Sequence, residues 1–311
     1  MSAERGEATR RIIVVVGFVS FGLTTLPALS PPQDISSPGA SGGATAAVAV
    51  TARCTTAGEV AAWPVSRQAA QVLMLSVTAD AVPTAMPLVQ SGIGGVLLSG
   101  STAPPGLARS LTDLHATGGI VPPLIAVDEE GGRVQRIGGV APPLASARQQ
   151  AASLTVAQVE DQAMVVARRL HDAGVDMDFA PDADVDAGPA SRPIGDRSFS
   201  GDPATAGRYA VAFARGLRRG GLIAVVKHFP GHGRADGDTE VASAMTPGID
   251  ALKAADLIPF EALIADGVPA VMLGHLTVPG LTEPGRPASL SPAANALLRR
   301  DLRFDGLVVT D

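Results

Sequence analysis

The sequence predicts an α/β fold built on a parallel sheet, and three features carry that reading. Short continuous apolar runs recur along the chain, the pattern of strands buried on both faces. Amphipathic helical stretches alternate with them, as repeated βαβ units require. With 311 residues and 46% hydrophobic content, the chain can bury a large core, enough for one α/β barrel or two smaller domains.

At the N-terminus, Arg5, Arg10 and Arg11 precede an apolar run from Ile12 to about Leu29, broken by Gly17, Ser20, Gly22 and Thr24. That is the layout of a secretory signal or an uncleaved anchor, so residues 1–30 predict export, with membrane attachment through residues 12–29 in the anchor case. Both readings stay open: Pro27-Ala28 is a poor cleavage site, and the run is near the lower length limit for a spanning helix. Residues 31–64 are rich in Pro, Gly, Ser, Ala and Thr without hydrophobic periodicity and read as a flexible linker. The folded part is expected from Val65 to Asp311.

Core strands are expected at Val72–Leu75, Gly95–Leu98, Leu124–Val127, Val175–Phe179, Ile223–Lys227, Ala270–Leu273 and Leu307–Thr310. A closed barrel of this type needs eight. The clearest helices are Val156–Ala173 and Pro203–Gly220.

Composition excludes several function classes. Net charge is -6 and no basic stripe or aromatic-rich patch is present, so nucleic acid is not an expected partner. The single cysteine, Cys54, rules out an internal disulfide framework and a cysteine-built zinc site. Asp182, Asp184 and Asp186 alternate along the chain, yet they lack the glycine and distal glutamate of a calcium loop, and no metal or other cofactor is expected.

The most informative segment is KHFPGHGRADGDTE at 227–240. Lys227, His228, His232, Asp238 and Glu240 crowd one strand-to-loop passage, at the strand end where α/β folds bind ligands. This segment resembles the signature of the bacterial β-N-acetylglucosaminidases of glycoside hydrolase family 3, KH(F/I)PGHG followed by Asp-Ser-His. Five further segments match that family in the same order: LIAVDEEGGRVQR (124–136), VDMDFAPDADVD (175–186), IGDRSF (194–199), VMLGHLTVPGL (271–281) and GLVVTD (306–311).

The resemblance implies a TIM (β/α)8-type barrel, here truncated after the seventh strand, with an unpaired edge, marginal stability and weak activity. It implies a cofactor-free, retaining exo-β-N-acetylhexosaminidase, a monomer, acting on N-acetylglucosamine-containing glycans such as peptidoglycan fragments. Asp311 falls at the nucleophile's place. Asp128, Arg136, Arg197, Lys227 and His228 fall at the sugar clamp, where a few placed polar groups set orientation. Taken alone, Arg197 would read as a surface partner of Asp196. His275 is not counted as catalytic.

The departure lies at Asp238-Thr239-Glu240, where the family has Asp-Ser-His with the aspartate orienting a catalytic histidine. Three outcomes follow: Glu240 serves as the acid/base, His232 takes over, or the acid is lost. The alternatives to an aminosugar hydrolase are a degenerate exported glycan-binding protein and a β-glucosidase of the same broader family.

Overall fold

The computed structural model describes residues 13–16, 57–118 and 121–311. Its strands in chain order are β1 (Ile13–Val16), β2 (Leu73–Thr78), β3 (Gly95–Ser99), β4 (Leu124–Val127), β5 (Glu129–Gly131), β6 (Val134–Gln135), β7 (Met177–Asp178), β8 (Ile223–Phe229), β9 (Ala244–Met245), β10 (Ala270–Leu273), β11 (Leu276–Thr277) and β12 (Leu307–Thr310). The barrel sheet runs β2-β3-β4-β7-β8-β10-β12, all parallel, and these are the seven strands expected from sequence.

The architecture is therefore the TIM-type barrel anticipated above, built from seven consecutive strands. The edge that was expected to stay unpaired is occupied. Strand β1 pairs in parallel with β12 through Ile13 and Val14, and with β2 through Val15 and Val16. A β-branched run is well suited to such an edge, whose free N–H and C=O groups need partners. The remaining residues of the expected signal or anchor, and residues 31–56 of the expected linker, lie outside the described residues. A helix at Ala57–Ala61 falls inside the stretch read as linker. It is joined to the fold through Trp63, whose ring lies 3.9 Å from the Arg67 guanidinium and whose carbonyl accepts from Gln68 Nε2 at 2.8 Å. No helix among the described residues is long and apolar enough to cross a membrane.

Period-2 alternation divides the strand side chains between two cores. Leu97, Val225, Ala270, Met272 and Val309 join Met74, Ala126, Met177 and Phe179 in one buried cluster. Their neighbours Val96, Leu98, Ala224, Val226, Val271 and Val308 belong to the larger cluster shared with the helices. Helix Val156–Asp172 starts with a capping box between Thr155 and Gln158, and helix Pro203–Arg219 with the Asp202 side chain accepting from Thr205 N. The two helices pack closely at Gly216, where an added Cβ would strike the Glu160 carbonyl and Ala163. All of this holds the C-terminal strand ends in one rigid rim.

Candidate active site

A cleft of about 940 Å³ opens over those strand ends. Asp128, Arg136, Arg197, Lys227, His228, Asp238, Glu240 and Asp311 all line it, together with His232 and His275, over a floor that includes Leu97, Phe179, Met272 and Thr310. Asp128 directly follows β4, Lys227 and His228 close β8, and Asp311 follows β12. The Asp311 N–H donates to Leu273 O of the neighbouring strand at 3.0 Å. Arg197 arrives on a single 3-10 turn, Gly195–Arg197. Gly195 has φ +51 and sits against Ala190 O, so only glycine fits that turn.

Glu130, which sequence reading passed over, is the hub of the clamp. Its carboxylate takes two parallel bonds from Arg197, Nε to Oε2 at 2.9 Å and Nη2 to Oε1 at 2.8 Å. Lys227 Nζ lies 2.6 Å from Glu130 Oε1 and donates to Asp128 Oδ1 at 2.5 Å. Burial works to raise the Glu130 pKa, but Arg197 and Lys227 outweigh it and hold the carboxyl well below the usual range. Burial works to lower that of Lys227, and Asp128 and Glu130 reverse it, keeping the ammonium charged. The surface pairing with Asp196, which Arg197 taken alone would suggest, does not form; Asp196 pairs with Arg133 at 2.8 Å.

Behind the clamp, His228 Nδ1 meets Asp184 Oδ2 at 2.7 Å, and its Nε2 lies 3.3 Å from Arg197 Nη2. A guanidinium only donates, so Nε2 accepts and the imidazole proton sits on Nδ1. Burial lowers the His228 pKa. Asp184 also accepts from His232 N at 2.6 Å and Asp182 from Asp184 N at 2.9 Å. Burial, the largest influence, raises the carboxyl pKa of Asp182 to about 7 and that of Asp184 to about 6. Asp182, Asp184 and His228 bring potential ligand atoms within 4.8 Å of one another. That grouping is already spent on the Asp184–His228 bond, and the Arg197 charge stands 3.6 Å from Asp182 Oδ2.

The segment 238–240, at which the acid/base was expected, is built differently. Asp238 lies half-buried in an irregular loop, and its Oδ1 accepts from the Glu240 main-chain N–H at 3.0 Å. Glu240 is exposed at the cleft edge. His232 Nε2 is 3.1 Å from Gly237 O and so braces the loop from below.

Two further arginines escaped sequence reading. Arg133 donates to Ala190, Arg192, Pro193 and Ile194 carbonyls, and Arg148 to those of Asp186, Gly188 and Gly195. Together they pin the strandless stretch that delivers Arg197. The signal available in sequence was indirect: a buried lysine and a buried arginine demand a buried carboxylate, and Asp128-Glu129-Glu130 was the place to seek it.

Comparison with known proteins places the chain in a family. The model of the glycosyl hydrolase family 3 N-terminal domain matches residues 65–311. The chain is 43% identical over 251 residues to beta-hexosaminidase LpqI of Mycobacterium tuberculosis, covering 78% of this chain and 63% of that protein. It is thus similar to a little under two thirds of that relative's length. Among solved structures, a family 3 glycosyl hydrolase from Mycobacterium smegmatis is 41% identical with a TM-score of 0.74, covering 81% of this chain and 77% of that one. A family 3 beta-N-acetylglucosaminidase from Paenibacillus is 30% identical with a TM-score of 0.75, covering 80% and 49%. NagZ from Neisseria gonorrhoeae, solved with N-trifluoroacetyl-D-glucosamine, is 33% identical with a TM-score of 0.64, covering 71% and 66%. The chain belongs to glycoside hydrolase family 3, and its residues 65–311 are that family's N-terminal domain.

Proposed function

We propose that the protein is a retaining exo-β-N-acetylhexosaminidase that removes terminal N-acetylglucosamine from glycans such as peptidoglycan fragments. The observation that carries this reading is the convergence of Asp128, Arg136, Arg197, Lys227, His228 and Asp311 on one cleft. Asp128, fixed by Lys227, accepts from sugar hydroxyls, while Arg136 and Arg197 donate to sugar oxygens. Asp311 attacks the anomeric carbon, and a glycosyl-enzyme ester forms as the bond to the leaving oxygen breaks. Glu240 delivers a proton to that oxygen and then takes one from the water that hydrolyses the ester. The basic-then-apolar N-terminus supports export on its sequence, but Ile13–Val16 pair as β1 in the barrel sheet, a place that a cleaved signal or a membrane anchor would vacate.

The test is hydrolysis of 4-nitrophenyl N-acetyl-β-glucosaminide by the full chain and by its Asp311→Asn variant, with matched circular dichroism. Loss of a nucleophile is expected to cost roughly 10⁶-fold in kcat. The histidine-to-glutamate departure at Glu240 favours one rival, a glycan-binding protein without turnover. A folded parent chain that binds N-acetylglucosamine yet releases no nitrophenol would establish the rival.

A further inference from the structure

Arg192 lines the cleft but has no part in the sugar clamp. It belongs to the stretch pinned by Arg133 and Arg148, and its side chain lies flat over Gly188, where any Cβ would strike it. Nη2 donates to Ala235 O at 3.0 Å, and Nε stands 3.6 Å from Asp186 Oδ2. Asp186 is 2% exposed, and its oxygens are already hydrogen-bonded to Gly188 N at 2.6 Å and Gly195 N at 2.9 Å. The guanidinium is therefore held at two points, while no acceptor among the described residues takes a hydrogen from Nη1.

Three other cations of the cleft are committed within the protein, and Arg136 is assigned to the sugar itself. Lys227 is shared by Asp128 and Glu130, Arg197 grips Glu130, and Arg133 is spent on carbonyls and Asp196. Arg192 keeps charge and donors to offer, with its side chain 40% exposed. Its place is also informative. Ala235, which it grips, opens the loop that carries Asp238 and Glu240, and an acid that protonates the leaving oxygen stands beside the leaving group. On the proposed function, then, Arg192 flanks the leaving group rather than the sugar being released.

We propose that Arg192 is a specificity residue that receives a carboxylate on the leaving group, so that aminosugar glycosides with an acid-bearing aglycone are preferred to neutral ones. A guanidinium presents paired donors that match a carboxylate, and the bond is charge-assisted.

Binding is measured by calorimetry on the full chain carrying Asp311→Asn, which blocks turnover, with and without Arg192→Gln. The probes are N-acetylglucosamine β-1,4-linked to N-acetylmuramic acid, whose lactyl group supplies the carboxylate, and neutral N,N′-diacetylchitobiose. With Arg192 the acidic disaccharide is expected to bind about 10-fold tighter than the neutral one, a charged hydrogen bond's worth. Arg192→Gln should bring the ratio near 1, and Arg192→Lys should leave it between. The neutral probe absorbs any loosening of the Ala235 loop, since that weakens both sugars alike. An equal ratio in the Arg192 and Gln proteins overturns the proposal. The outcome is independent of turnover, so a failure of the hydrolase reading would show separately, as absent nitrophenol release.

Discussion

Two sets of charged side chains face the same cleft and are built on opposite principles. Lys227 and Glu130 are each 3% exposed, fixed at strand ends and locked into reciprocal ion pairs. Asp238 and Glu240 ride an irregular loop, and the carboxylate of Asp238 is used up capping its own turn. On the proposed function, the difference separates recognition from proton transfer. A buried ion-pair network has one arrangement and cannot drift, which suits reading a sugar's hydroxyls. A rim carboxylate remains in contact with water, which suits a group that must give up and regain a proton in each cycle.

The comparison breaks most visibly at Lys227. Lys227→Met leaves Glu130 with a single cation, Arg197, and takes from Asp128 its one ion-pair partner among the described residues. Removing one partner of a buried pair costs about 3–5 kcal/mol, so chemical denaturation should show a stability loss of that size along with lost sugar binding. A stability change below 1 kcal/mol would mean that water reaches Glu130 freely.

At the rim the opposite separation is expected. Glu240→Gln should leave stability within about 0.5 kcal/mol, as exposed substitutions do. It should slow cleavage of natural disaccharides by about 10²–10⁴-fold while sparing substrates with good leaving groups. Equal losses on both substrate types would remove the acid role from Glu240 and return His232 to consideration.

The smallest effect concerns pH. Asp182 has a folded pKa of about 7, raised chiefly by burial from an ordinary 3.8. Its stabilising contribution is complete below the ordinary value and is lost as pH rises through 7, because the buried carboxyl then ionises. Asp182→Asn cannot ionise, so the variant should gain stability over the parent between pH 4 and 8, by up to a few kcal/mol. Parallel unfolding curves at both pH values would show that the parent's Asp182 is charged throughout.

Most of the barrel was legible because buried parallel strands announce themselves as unbroken apolar runs. Gly95–Leu98, Leu124–Val127, Ala270–Leu273 and Leu307–Thr310 were read to within a residue. Strand β7 was read as Val175–Phe179, but only Met177 and Asp178 meet both neighbours in register. The seam strand was not legible, since Ile13–Val16 looks like any hydrophobic leader until the partners 58 and 295 residues away are placed. The cleft residues Asp128, Arg136, Arg197, Lys227 and His228 were singled out by family resemblance, whereas Glu130, Asp184 and Arg133 were not. Their roles arise from distances between segments far apart in sequence, and residue type alone gives no hint which of several acids a buried cation selects.

The main-chain bond from Asp311 to Leu273 carries one more consequence. It fixes the main-chain nitrogen from which the proposed nucleophile swings, so only a few torsions place the attacking oxygen. A residue at the end of a free tail would have to rediscover its position in every catalytic cycle. Here that ordering is completed once, when β12 docks beside β10, and each arriving sugar meets a carboxylate already within its arc.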